Sequence, residues 1–78
     1  MNGWQITETR DGDVGRLKIG EVEAFVQDRD GDGSYWWVKR ASEEVAKGQL
    51  YAGNDFEMAL AAAWAAVGTA LPRTYQHD

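Results

Sequence analysis

The chain has 78 residues, a formal net charge of −5 and no cysteine. A chain of this length forms one domain, residues 1–78, and it has no disulfide or thiolate metal site to stabilise it. The excess of acidic residues argues against direct nucleic-acid binding, because phosphate binding needs clustered lysines and arginines. No basic leader precedes an apolar run, and the longest apolar stretch, 58–67, is too short to cross a bilayer. We therefore expect a cytoplasmic protein without membrane contact.

The first two-thirds of the chain predicts four β-strands, at about 4–10, 16–27, 34–41 and 44–51. Turn-forming residues at 11–15 and 28–33 separate the first three strands. Within the long second strand the apolar positions change parity at Gly20, which we interpret as a β-bulge. A turn at 41–43 precedes the fourth strand. The alternative for residues 42–45 is a short helix capped by Ser42.

A helix is predicted over about 55–70, with Asn54 and Glu57 spaced as a capping box. Its apolar residues at helical spacing share one face: Phe56, Leu60, Ala63, Trp64, Val67 and Leu71. Pro72 ends the helix, and the tail 72–78 is expected to be flexible. The predicted fold class is α+β, a four-stranded antiparallel meander with one C-terminal helix packed on one face.

The sheet face opposite the helix is predicted to be a contact surface. Trp37 shares its parity with Lys39, so we place Trp37 on the open face and Trp36 in the core. Aromatic residues among charged residues are typical of binding hot spots, although cross-strand aromatic pairs also stabilise sheets without a partner. The predicted partner-binding residues are Glu21, Glu23, Phe25, Asp28, Asp30, Asp32, Tyr35 and Trp37.

The solvent face of the helix is the second unusual surface. It carries small residues, Ala61, Ala62, Ala65 and Ala66, and the only charges between Gly48 and Pro72 are Asp55 and Glu57. A solvated helix face normally carries several charges. The pattern favours a homodimer interface. The alternative is that these alanines stabilise the helix through their high helix propensity and contact no partner.

The segment 28–33 reads D-x-D-x-D-G, the start of a calcium loop. Asp28, Asp30 and Asp32 match the first ligand positions, but the twelfth position holds Lys39 in place of the bidentate glutamate. We therefore expect no cofactor and interpret the segment as an acidic hairpin tip, with a weak calcium site as the alternative. In a four-stranded meander the acidic turns near Asp11 and Glu43 would lie at the opposite end of the sheet.

Catalysis is not expected. The one histidine, His77, lies in the predicted flexible tail, and no nucleophile with a matching base can be assembled on rigid elements. An exposed sheet with Trp37 and Tyr35 could stack nucleobases, but the net charge opposes that function. The function that remains is a protein-binding module that offers an acidic surface to a basic surface of its partner. This function needs no residue that the chain lacks.

The run YWWVKRASEEVAKGQLYAGNDFEMALAAAW, residues 35–64, resembles the layout of small phage-encoded inhibitors of the anti-CRISPR kind. The resemblance implies an inhibitor that binds a protein or protein–RNA complex and occludes its basic nucleic-acid-binding surface. It assigns no site residue. The alternative function is a homodimerising accessory protein.

Overall fold

The computed structural model describes residues 3–10, 12–29, 32–51 and 54–71, so the predicted flexible tail lies outside the described residues. In chain order the elements are β1 (Gln5–Thr9), β2 (Gly12–Ile19), β3 (Val22–Arg29), β4 (Gly33–Arg40), β5 (Glu43–Leu50) and α1 (Asp55–Ala70). The strands form one antiparallel meander in the order β1-β2-β3-β4-β5. The α+β class and the C-terminal helix are confirmed, but the predicted four-stranded sheet is wrong, because five strands are present in the described part of the chain.

The additional strand arises at Gly20. Ile19 pairs with Val22, so Gly20 and Glu21 form a two-residue hairpin turn where a bulge was predicted. Gly20 has a φ of 59°, as glycine does at the first central position of a type II′ turn. A two-residue turn and a one-residue bulge both shift the parity of the apolar positions by one, so the pattern does not distinguish them. Glu21 therefore lies in a turn and not on the open face.

The predicted turn before the last strand is present, and the alternative short helix is wrong. Arg40 pairs with Glu43, and both residues between them have positive φ, 50° at Ala41 and 71° at Ser42. This is the type I′ pattern that matches the twist of antiparallel strands. An irregularity lies further along this pair of strands. Val38 faces Ala46 while Lys39 faces Glu44, so Val45 is the additional residue of a bulge.

The core lies between α1 and one face of the sheet. The helix packs across β3, β4 and β5 and buries four residues, Ala59, Leu60, Ala63 and Val67. Opposite them, Val26 and Val38 are fully buried on the two central strands. Each fully buried valine contributes on the order of 1.5–3 kcal/mol. Trp4 closes the core beside β2 and is 9% exposed.

Two predictions about the helix need correction. Trp64 is 45% exposed, because the buried face is centred nearer Ala59 and Ala63 and leaves Trp64 at its edge. Asn54 occupies the N-cap position, but its side chain makes no capping hydrogen bond, so the predicted capping box with Glu57 is absent. At the other end, the extended conformation of Leu71 stops the helix, as expected before a proline.

Candidate functional surfaces

An aromatic pair occupies the centre of the open face of the sheet. Phe25 on β3 lies directly opposite Trp37 on β4, and the two rings stack with centroids 5.3 Å apart at an interplanar angle of 16°. Trp36 pairs with Val26 on the helix side. The predicted assignment of the two tryptophans to opposite faces is therefore confirmed. Phe25, Tyr35 and Trp37 are all half-buried, so part of each ring remains accessible.

Three cations lie over these rings. The guanidinium of Arg16 is 5.2 Å from the Phe25 centroid, and the ammonium of Lys39 is 4.5 Å from the Trp37 centroid. Arg29 lies 5.1 Å from the centroid of Tyr35. Cation–π contacts of this kind contribute about 0.5–1 kcal/mol at exposed sites. The strand register adds Lys18 and Lys47 to this face, and its acidic residues are Glu23 and Glu44.

The basic character of this face was not predicted. The aromatic residues were predicted to lie beside glutamates, because Glu21 and Glu23 were assigned to one strand with Phe25. Leu17 and Ile19 share the core face with Val22 whether Gly20 forms a bulge or a turn, so alternation along β2 places Arg16 and Lys18 on the open face in both cases. The signal was therefore present in the sequence, and only the placement of Glu21 depended on identifying the turn.

Acidic residues collect at one end of the sheet. Successive turns of a meander alternate between the two ends of the sheet. The β1–β2 turn and the β3–β4 turn therefore lie at the same end. A Cβ on Gly12 would overlap the carbonyl oxygen of Asp28, which shows how closely the start of β2 approaches the end of β3. We define the acidic end by its described carboxylates on β1, β2, β3, the β3–β4 turn and α1: Glu8, Asp13, Asp28, Asp32 and Asp55.

The acidic end differs from the predicted arrangement. In the four-stranded prediction the turn near Asp11 lay opposite the hairpin tip, and the fifth strand reverses this placement. Asp11 and Asp30 lie outside the described residues. Glu8 pairs with Asp13, and Asp28 pairs with Ser34, so these side chains follow one row across the helix side of the sheet.

A partly buried hydrogen bond connects this end of the sheet to the helix. Ser34, at the start of β4, is fully buried, and its hydroxyl donates to Asp55 Oδ1 at 2.8 Å. Asp55 is the first residue of α1, where a carboxylate also interacts favourably with the helix dipole. The side chain that anchors the helix is thus part of the acidic end. Ser34 was not among the predicted site residues, because nothing in its local pattern indicates a partner 21 residues away.

The calcium alternative gains no support from the described residues. Asp28 lies on β3 and Asp32 in the turn after it, and no group of three or more His, Cys, Asp or Glu side chains in the described part of the chain could hold a metal ion. Gly33 has a φ of 78°, and a Cβ there would overlap the carbonyl oxygen of Leu50. The sheet itself therefore requires glycine at this position, independently of any metal.

The solvent face of α1 is largely apolar. Ala61 and Ala65 are exposed, while Ala62 and Ala66 are half-buried. Met58 and Trp64 flank these alanines and are 42% and 45% exposed. The helix therefore presents two large apolar side chains to solvent in addition to the predicted alanines.

Seven of the eight predicted partner-binding residues lie in the described part of the chain, and these seven do not form one surface. Glu23, Phe25, Tyr35 and Trp37 share the open face, whereas Asp28 belongs to the helix side and Asp32 to the hairpin tip. Glu21 lies in a turn at the other end of the strands. The structure thus separates the predicted site into an acidic end and an aromatic, basic open face.

Fold and surfaces together define a small α+β domain, a five-stranded meander under one helix, with two surface regions of opposite charge. No family model, curated protein or solved structure matches the chain. Its function is therefore argued from its own residues. Among the described residues, no helix is both long enough and apolar enough to cross a membrane.

Proposed function

We propose that the chain is a small acidic protein-binding module that occupies a basic, nucleic-acid-binding surface of a target complex, as phage-encoded inhibitors of the anti-CRISPR kind do. The observation that supports this function is the acidic end, where carboxylates from five segments of the chain lie at one edge of the fold. Glu8, Asp13 and Asp28 lie on neighbouring strands, which are about 4.8 Å apart, so they form a dense row of negative charge. Such a row suits a surface of lysines and arginines that binds phosphates.

Rigidity supports the same function. Asp28 is held in the register of β3 with β4, and Asp55 accepts the hydrogen bond from buried Ser34. Carboxylates fixed before binding lose less conformational entropy when the complex forms. Oppositely charged partners also associate faster than neutral ones, and their affinity falls as salt screens the attraction.

Neutralising the acidic end is expected to abolish target capture. The variant Glu8→Gln/Asp13→Asn/Asp32→Asn keeps side-chain size and leaves Asp28 and Asp55 in place. Tagged protein is passed through lysates of bacteria that carry CRISPR systems, and the retained assembly is then tested for DNA binding by gel shift. We expect the unaltered protein to retain an assembly and block its DNA binding, and the variant to bind at least about tenfold more weakly.

The matched control is Glu21→Gln/Glu43→Gln/Glu44→Gln, which removes the same number of charges at the other end of the strands. It should retain the assembly at nearly full affinity. Equal loss in both triple variants would show that net charge, and not the acidic end, governs binding. If the retained assembly still binds its DNA, the proposal that the chain occludes the DNA-binding surface is contradicted.

A second candidate function, homodimerisation through α1, is favoured by the exposure of Met58 and Trp64 beside Ala61 and Ala65. Small residues at the centre of a helix face allow another helix to approach closely, and large apolar residues at the sides provide buried area. The acidic end and this helix face are compatible with one molecule, because they involve different residues.

We expect Ala65→Glu to convert such a dimer into a monomer, because the new carboxylate would be buried without a partner at the interface. Sedimentation velocity over a range of protein concentrations measures the change. Thr7→Glu, an exposed residue of β1, adds the same charge away from the helix and should leave the dimer intact. A monomer at every concentration of the unaltered protein would exclude this second function.

A further inference from the structure

The open face is basic although the whole chain has a net charge of −5. By strand register its charged residues are five cations and two glutamates: Arg16, Lys18, Arg29, Lys39, Lys47, Glu23 and Glu44. The negative charge of the molecule therefore lies on its other surfaces. At physiological ionic strength charges are screened over about 8 Å, so a partner at this face senses mainly the local cations.

The excess positive charge is concentrated in one row across the sheet. The row through Lys18, Glu23, Lys39 and Glu44 alternates in sign and is balanced. The next row consists of Arg16, Phe25, Trp37 and Lys47, and we call it the aromatic row. Arg16 and Lys47 lie on either side of the stacked rings, Gln5 follows Arg16 on β1, and the row has no acidic residue. Lys47 also lies 3.8 Å from Glu44, in a contact exposed enough to contribute little.

A hollow of about 330 Å³ adjoins the aromatic row. Its lining includes two cations, one carboxylate and both stacked rings: Arg16, Lys18, Glu23, Phe25 and Trp37. This volume is at the small end of the range for ligand sites, about 300–1,000 Å³, and suits a few side chains of a bound segment. The guanidinium carbon of Arg16 lies 5.2 Å from the Phe25 centroid, and Arg16 is exposed, so its N–H groups can reach a carboxylate of a partner.

The arrangement of the rings distinguishes between two kinds of anionic partner. Trp37 has Phe25 stacked against it and Lys39 over its ring, while Phe25 has Trp37 and Arg16. Proteins that bind single-stranded nucleic acid stack bases on exposed aromatic rings. Here the central rings are already in contact with each other and with cations, so a base would first have to displace one of them.

We propose that the open face binds an acidic polypeptide segment. Carboxylates of the segment pair with Arg16 and Lys47, and its apolar atoms contact the exposed edges of Phe25 and Trp37. This surface is separate from the acidic end and takes a partner of the opposite charge. The molecule can therefore contact a basic surface at one side and an acidic segment at another.

The test uses fluorescence anisotropy with two labelled probes of equal charge, a poly-glutamate peptide and a single-stranded oligothymidylate. We expect the peptide to bind more tightly than the oligonucleotide, with affinity falling as salt is added. Arg16→Gln/Lys47→Gln should weaken peptide binding about tenfold, as expected for the loss of two exposed ion pairs. Tighter binding of the oligonucleotide would assign the face to nucleic acid, and binding of neither probe would overturn the proposal.

The matched control is Arg10→Gln/Arg40→Gln, which removes two positive charges away from the aromatic row. It should change peptide affinity less than twofold, and an effect equal to that of the first pair would overturn the proposal. Because Arg16 contacts Phe25, the reversal Lys47→Glu provides a second variant at a side chain that is 65% exposed and outside the core. It should also weaken peptide binding. The acidic-end triple variant should leave peptide binding intact, so this proposal and the inhibitor function fail independently.

Discussion

Replacing Gly33 by alanine is expected to destabilise the protein by more than about 3 kcal/mol. The backbone φ of 78° would strain any L-residue by roughly 1–2 kcal/mol, and the added Cβ would overlap the carbonyl oxygen of Leu50. That carbonyl belongs to the strand paired with β4, so the clash is relieved only by separating β4 from β5. A chain of 78 residues has a total stability of about 4–12 kcal/mol, so a quarter or more would be lost.

A thermal melt followed by circular dichroism measures this effect, and we expect the midpoint to fall by about 12 °C or more. Gly68→Ala is the matched control. Gly68 lies in α1 with open space around an added Cβ, so alanine should stabilise the helix by up to about 1 kcal/mol. Similar melting temperatures for both variants would show that Gly33 tolerates a side chain, and would reopen the question of why glycine follows the three aspartates.

Gly33 also illustrates how one residue supports two interpretations from sequence. Its position after three alternating aspartates matches a calcium loop, and the same residues are common in turns because they adopt positive φ. The structure supplies a steric reason for glycine that involves Leu50, a residue 17 positions later. A contact of this kind depends on the pairing of β4 with β5, which the sequence pattern alone does not specify.

The elements that could be predicted are those with strong local signals. Alternation placed Trp37 and Trp36 on opposite faces, and the helix begins and ends within about a residue of its predicted limits. The strand count was wrong because the parity change at Gly20 is the same for a bulge and for a two-residue turn. That one difference moved the β1–β2 turn to the other end of the sheet. It also moved Glu21 from the predicted open face into a turn, so the error in the fold became an error in the predicted site.

Trp64 shows a different limit of sequence patterns. Helical spacing groups it with Leu60 and Val67, but the helix is rotated so that Ala59 packs against the sheet. Small residues bring the helix axis close to the strands, and a tryptophan at the edge of the contact then remains outside. Periodicity predicts which residues share a face, but the centre of the contact depends on side-chain volumes across the interface.

Removing the hydroxyl of Ser34 is expected to loosen the helix from the sheet. The bond from Ser34 to Asp55 is partly buried and ends on a carboxylate, and hydrogen bonds to charged groups contribute about 1.5–3 kcal/mol. Ser34→Ala should therefore lower the melting midpoint by about 6–24 °C. Because Asp55 belongs to the acidic end, the variant should also weaken target capture without removing any charge.

A double-mutant cycle separates this bond from the other effects of each change. Asp55→Ala also removes a favourable charge at the helix N-terminus, worth about 0.3–1 kcal/mol. If the bond forms as described, the double variant Ser34→Ala/Asp55→Ala should be more stable than the sum of the single effects predicts, by about 1–2 kcal/mol. Glu57→Ala removes the other carboxylate of the first turn and should combine additively with Ser34→Ala. Additive behaviour of Ser34 and Asp55 would mean that the acidic end is held in place by core packing alone. The helix would then position Asp55 through Leu60 and Val67, and Ser34→Ala would leave target capture unchanged.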